Sequence, residues 1–203
     1  MSLMSVEEAL GLVTGAAAPL SEESVPVAAA AGRVLARDLA ARRSQPPADM
    51  SAMDGYAVQG AEAEQVGVKL TVIGESAAGR PFTGPVGPGE CVRIFTGAVV
   101  PAGADTVVIQ ENTARDGDVM TTTGPTAALR NVRKMGCDFA TGVVALKAGH
   151  RFSARSIMLA AAMDHAEVPV IRRPRMALIQ TGDELDPPGQ GTGADSEIAA
   201  SNA

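Results

Sequence analysis

The stretch Glu90-Cys91-Val92-Arg93-Ile94-Phe95-Thr96-Gly97-Ala98-Val99-Val100-Pro101-Ala102-Gly103-Ala104-Asp105-Thr106-Val107-Val108-Ile109-Gln110 decides the fold class. Residues 90–95 and 106–110 are apolar, β-branched runs of strand length, and Gly97-Ala98 and Pro101-Ala102-Gly103 break the chain between them. Working outward, residues 68–73 alternate like a half-buried strand. Asp116-Gly117-Asp118 has hairpin chemistry, because Asp-Gly supplies the positive φ of a tight turn. Gly79-Arg80-Pro81, Gly84-Pro85 and Gly87-Pro88-Gly89 punctuate the remainder. Many short strands at regular spacing over residues 50–125 predict a small β-sandwich or barrel-like domain.

The flanking segments have a different pattern. Ser5-Val6-Glu7-Glu8 is a capping box, and Val6, Ala9, Leu10 and Val13 follow on one helix face until Pro19 ends any continuation. Residues 24–28 suggest a short strand, residues 29–39 a second element, and Gln45-Pro46-Pro47 a break. Ser153 is placed to cap a helix running to about His165, with Ile157, Leu159, Ala161 and Met163 toward its buried side. Strands are expected at 166–171 and 175–180. The second holds the apolar run Met176-Ala177-Leu178-Ile179, typical of a strand buried on both faces of a parallel sheet. It ends in Thr181-Gly182-Asp183-Glu184-Leu185, a turn that can open a helix in an α/β unit. A parallel strand needs a crossover and a partner, which residues 175–203 are too few to supply, so the polypeptide is expected to end inside an α/β domain.

Composition narrows the function classes. The 203 residues carry 17 basic and 23 acidic side chains, net −6, which argues against a nucleic-acid binder with its basic stripe. With no Trp, one Tyr and four Phe there is no stacking platform for single strands. Two Cys and two His cannot build a disulfide framework or a zinc quartet. No apolar run reaches membrane-spanning length, and the start MSLMSVEEAL lacks the basic and apolar regions of a signal peptide, so a cytoplasmic protein without a membrane partner is expected. GxGxxG, P-loop and GxSxG patterns are absent.

What remains for chemistry is mainly acidic. Asp49, Asp54, Asp138 and Asp183-Glu184 lie in loops, where carboxylates placed by strands suit Mg²⁺ and an oxyanion beside it. An Asp before Gly equally suits a turn-forming role. Thr96 and the N–H groups near Gly97 and Ala98 leave room for an anion. Cys91 and Cys137 read as small hydrophobes, His150 and His165 have no evident partner, and Arg172-Arg173-Pro174-Arg175 reads as solvated linker charge able to face a phosphate.

The motifs together say more. Asp49-Met50-Ser51-Ala52-Met53-Asp54-Gly55-Tyr56-Ala57-Val58 resembles the signature of the MoeA/gephyrin family of molybdopterin molybdenumtransferases. The likeness continues in order through Arg93–Ala98, Pro101–Val108, Gly136-Cys137-Asp138-Phe139, Arg173-Pro174-Arg175 and Thr181–Leu185. Two departures stand out: Cys137 occupies a position where the family commonly has Glu, and residues 195–203 fit its loop poorly apart from Ser201-Asn202.

The resemblance implies an α+β, mostly β, multidomain chain. Residues 1–49 and 130–174 would form an elongated, discontinuous N-terminal dimerisation domain, residues 50–129 an inserted β-rich barrel-like domain, and residues 175–203 the first strand and loop of a truncated molybdopterin-binding α/β domain. It implies an Mg²⁺-dependent enzyme of molybdenum cofactor biosynthesis that inserts molybdate into adenylylated molybdopterin and releases AMP, acting as a homodimer, with this portion inactive by itself. Asp54, Asp138 and Glu184 would carry catalytic roles, and Thr96, Ser51, Gly97, Thr181, Gly182 and Asp183 substrate-binding ones. Which carboxylate meets Mg²⁺ stays open. The other reading is a non-catalytic dimerisation or partner-docking module of a gephyrin-like scaffold.

Overall fold

A computed structural model describes residues 4–177, 179, 181–187, 189 and 198–199. They fall into two compact units, one formed by residues 24–170 and the other by the two chain ends, up to Glu23 and from Ile171.

In chain order the elements are α1 (Val6–Gly15), β1 (Glu22–Pro26), β2 (Leu39–Ala40), β3 (Met50–Ser51), β4 (Gly55–Val58), β5 (Lys69–Ser76), β6 (Glu90–Ile94), β7 (Thr106–Ile109), β8 (Thr113–Asp116), β9 (Val119–Thr122), β10 (Val132–Arg133), β11 (Val144–Leu146), α2 (Ala154–Ala162), β12 (Glu167–Ile171), β13 (Leu185–Asp186) and β14 (Ile198–Ala199). The protein is mostly β, and its main feature is a six-stranded sheet in the order β7-β4-β6-β5-β9-β8, curled into a half-barrel. Only β5 and β6 run parallel within it. The Asp116-Gly117-Asp118 turn closes the β8–β9 hairpin as expected, with Asp116 opposite Val119 and Gly117 at φ 58°.

Side chains alternate across a strand, so strands β4, β5, β6 and β7 of this sheet feed two cores. Tyr56, Val58, Cys91, Val108 and Met120 pack on one face, while Ala57, Val92, Ile94 and Val107 pack on the other with Val86 and Ala98. Central strand β4 is buried along its whole length. A separate core joins segments far apart in sequence, with Leu35, Leu39 and Ala41 against Phe152, Ala160, Met163, Val168 and Val170.

Several local expectations need adjustment. The first strand begins and ends earlier, at Glu22–Pro26, and Val27–Ala29 turns as a 3₁₀ segment. Residues 29–39 form no single element, because their backbone groups bond outward to distant partners: Leu35 N–H to His150 and Ala36 N–H to Pro169. Helix α2 stops at Ala162, and Asp164 takes a positive φ of 71° just beyond it. Its buried stripe is Ser156, Ala160 and Met163, at helical spacing, with Ile157 and Leu159 half-buried, whereas Ala161 faces solvent. No strand runs through the described residues 175–177 and 179, and Met176 and Ile179 are 80% and 85% exposed. A strand buried on both faces needs covering elements on both sides, and none lies there among the described residues. Leu178 and Gln180 fall outside the described residues, as do 195–197 and 200–203 of the poorly matching tail.

In the unit of the chain ends, α1 has the capping box read from sequence. Glu8 N–H donates to Ser5 Oγ at 3.1 Å, and Ser5 N–H donates to Glu8 Oε2 at 2.9 Å. The apolar face of α1 is uncovered, Val6, Leu10 and Val13 being 85%, 61% and 70% exposed.

Gly55 shows how tightly the sheet is drawn. A Cβ there would coincide with the Val108 carbonyl of neighbouring β7. Gly55→Ala is expected to destabilise the protein by about 1–3 kcal/mol in urea unfolding followed by circular dichroism, the range for forcing a methyl into a packed interior.

Candidate functional site

The short strand β3 is held on both edges. It pairs antiparallel with β10, Ser51 opposite Val132 and Met50 opposite Arg133. On its other side Ser51 N–H donates to the Ala98 carbonyl, and the Ser51 carbonyl accepts from Gly97 N–H, both at 2.9 Å. Residues from two distant stretches are thereby gathered around Met50-Ser51. Ser51 itself is 2% exposed, and its hydroxyl donates to the Met53 carbonyl while accepting from Met53 N–H. Its side chain therefore shapes the turn that presents Asp54.

Asp54 and Thr96 meet. Asp54 Oδ1 accepts from both the Thr96 N–H and the Thr96 hydroxyl at 2.7 Å. These bonds, the backbone one foremost, hold the carboxyl below its ordinary range, and the nearby Arg93 charge acts in the same direction. Asp54 is thus a fixed anion at neutral pH, with Oδ2 taking no hydrogen bond from the described residues. Gly97 follows Thr96 at φ 79°, with open space around it. Its left-handed backbone lets the turn fold back onto Ser51.

Arg93 underlies this turn, and sequence reading gave it no role. Its guanidinium donates to the Gly55 carbonyl at 3.0 Å and to Gln110 Oε1 at 2.9 Å. It also lies 5.3 Å from the Tyr56 ring centre and 4.7 Å from that of Phe95. The available signal was a lone cation in a strand, two residues before Phe95, in a chain with few aromatics.

Asp138 lies in the return loop after β10. Arg133 Nη2 donates to both its oxygens, at 2.6 and 2.8 Å. Asp49 is engaged in a comparable way: Lys134 Nζ donates to Oδ2 and Met135 N–H to Oδ1, both at 2.8 Å. The Lys134 bond is the main cause of its lowered pKa. Asp38 repeats the device with Lys147 Nζ and Ala148 N–H at 2.9 Å.

Cys91 is a buried hydrophobe as expected, its thiol pushed up to about 12 by burial, but Cys137 is exposed beside Arg133. His165 has a partner after all, the Ala40 carbonyl at 2.9 Å from Nε2. Thr181, Gly182, Asp183 and Glu184 are exposed and belong to the unit of the chain ends, where Leu185 N–H closes a turn onto the Gly182 carbonyl.

The profile of the MoeA N-terminal region (domain I and II) matches residues 4–163. The chain belongs to this family. A molybdopterin molybdenumtransferase of Nostoc sp. is 40% identical over 171 residues, covering 80% of this chain and 38% of the relative. One from Haemophilus influenzae is 36% identical over 168 residues, covering 82% and 41%. The crystal structure of a molybdopterin biosynthesis MoeA protein from Pyrococcus horikosii superposes with a TM-score of 0.84 at 32% identity, covering 98% of this chain and 51% of that one. The chain thus spans about two fifths of the length of these curated relatives and half of that structure. Among the described residues no helix is long and apolar enough to cross a membrane.

Mg²⁺, which MoeA family membership suggests, would need several oxygens turned toward one point. Among the described residues no three His, Cys, Asp or Glu side chains converge in that way. Asp49 and Asp138 have both oxygens engaged by donors, which leaves Asp54 Oδ2 as the uncommitted oxygen of these three carboxylates. The described residues of this MoeA-family chain do not form a magnesium cage.

The depressed Asp54 pKa has a definite sign. Its ionised form contributes stability above the ordinary carboxylate range near 3.9, and that contribution is lost as pH falls through the lower folded value. In carboxyl ¹³C titrations Asp54 is expected to titrate below that range, and Thr96→Val to move its midpoint upward while the Thr96 N–H bond keeps part of the depression. An unchanged midpoint in Thr96→Val counts against the assignment.

Proposed function

We propose that this chain is the N-terminal part of an enzyme of molybdenum cofactor biosynthesis, which inserts molybdate into adenylylated molybdopterin and releases AMP. Membership in the MoeA N-terminal family carries the reading, and the Asp54–Thr96 pair gives it a local chemical centre. In the proposed layout residues 1–49 with 130–174 form the dimerisation domain, 50–129 the inserted β domain, and 175–203 the start of the molybdopterin-binding domain. The protein acts in the cytoplasm as a homodimer, with magnesium accompanying the phosphates of the substrate.

Roles follow from what each side chain can still do. Asp54, ionised and held by Thr96, presents Oδ2 as a fixed acceptor for a donor group of the substrate. Asp138, bound to Arg133, orients that guanidinium, and the pair adds little net charge near an anion. Thr96 and Gly97 leave backbone space for close approach, while Ser51 acts by shaping the turn. Glu184 is exposed, its carboxyl accessible to a bound substrate, with Thr181, Gly182 and Asp183 as the loop that carries it.

The bare apolar face of α1 supports the second reading, in which this portion serves association between copies of the chain. The two readings are compatible and separable. Molybdate-dependent AMP release is expected from the full-length protein and not from the 203-residue chain. Asp54→Asn and Glu184→Gln in the full-length protein are each expected to slow it at least about tenfold, the value of one charge-assisted contact. Turnover by the short chain, or wild-type rates in both variants, overturns the catalytic reading. A monomer in sedimentation at micromolar concentration overturns the homodimer.

A further inference from the structure

Asp54 is gripped through its backbone as well as through its carboxyl. Its carbonyl accepts from Gln110 N–H at 3.0 Å, and the carbonyl of the next residue, Gly55, accepts from Arg93 Nη1 at 3.0 Å. Arg93 Nη2 donates to Gln110 Oε1 at 2.9 Å, which closes a ring through Asp54, Gly55, Arg93 and Gln110. The peptide that carries Asp54 is thus clamped between the end of β6 and the end of β7, while Thr96, three residues beyond Arg93, holds Oδ1.

The two side chains of this ring are themselves fixed. Gln110 opens the 3₁₀ turn Gln110–Asn112, and its carbonyl accepts from Thr113 N–H and, at 2.8 Å, from the Thr113 hydroxyl. Its Nε2 donates to Glu111 Oε1 at 3.5 Å, which turns Oε1 toward Arg93. Arg93 stands in register between Tyr56 of β4 and Glu75 of β5, with its guanidinium against the Tyr56 and Phe95 rings. A planar fork that reaches two acceptors while lying against two rings is particular to arginine, and a lysine of equal charge cannot reproduce it.

A carboxylate held at one oxygen still moves with the peptide beneath it, and a displacement of about 1 Å can cost about a hundredfold in rate. We infer that Arg93 and Gln110 are positioning residues for Asp54, locking the Asp54-Gly55 peptide so that Oδ2 points in one direction. The inference rests on the role proposed for Asp54 in the transfer reaction. Arg93 and Gln110 act through that carboxylate and not on the reacting atoms.

The test uses Arg93→Lys, which keeps the charge and loses the fork, and Gln110→Leu, a neutral change at an exposed position. In full-length protein with native circular dichroism, each is expected to lower kcat for molybdate-dependent AMP release at least about fivefold, with KM changed less than about twofold. In an Asp54→Asn background the same changes are expected to cost less than about twofold, because residues that act through one group are not additive. In carboxyl ¹³C titrations of the 203-residue chain, both variants are expected to move the Asp54 midpoint upward as the Thr96 bonds slacken. A bare charge effect of Arg93 predicts no movement in either. Unchanged midpoints, wild-type kcat, or losses that multiply in full with Asp54→Asn overturn the inference. If the midpoints move while Asp54→Asn transfers molybdenum at the wild-type rate, the role proposed for Asp54 fails and the brace stands as structure. If Asp54→Asn is slow while neither variant changes rate or midpoint, the brace fails alone.

Discussion

The two-residue strand Met50-Ser51 is the constraint on which the site depends. Its backbone bonds outward on both edges, to β10 on one side and to the Gly97-Ala98 turn on the other. A strand this short has little stability of its own, so its position is fixed by those partners. Through it the Thr96 turn and the Arg133–Asp138 loop are brought to one stretch of chain, and Asp54 follows three residues on. The charges nearby are then settled by short bonds: Thr96 onto Asp54, Arg133 onto Asp138, Lys134 onto Asp49. Little of the site's geometry comes from the helices.

Local chemistry was legible in the sequence. The capping box of α1, the Asp-Gly hairpin and strands β6 and β7 rest on near-neighbour patterns, and each formed close to its expected place. The family likeness was legible too, because the Asp49–Val58 block holds a turn and a strand whose residue types are tightly constrained. Gly55 illustrates this: its missing side chain is required by the closeness of β7, and a sequence pattern retains that requirement.

What the sequence concealed was non-local. Residues 29–39 form no single element because Leu35 and Ala36 bond to partners more than a hundred positions away. The Asp38–Lys147 and Asp49–Lys134 clamps span a similar distance, and no spacing rule announces them. His165 was assigned a helix end but is drawn into the core toward Ala40. The 175–180 run was judged from its own apolarity, whereas doubly buried strands are defined by the elements covering them. Arg93 was overlooked for a similar reason: its partners Gly55, Tyr56 and Gln110 lie on strands and turns that meet only in the fold.

The alternation along β4 makes the length of this region as binding as its composition. Tyr56 and Val58 serve one core and Ala57 the other, so a slip of a single residue would exchange the two interiors and turn every side chain of the strand over. Asp54 stands immediately before that strand and would be swung away from Thr96 by the same slip. Insertions and deletions should therefore be barred between Ser51 and Val58, while the exposed turns at Gly67, Gly79 and Gly117 can lengthen at small entropic cost. The spacing between Ser51 and Asp54 is in this sense a ruler, cut to the distance between two strands.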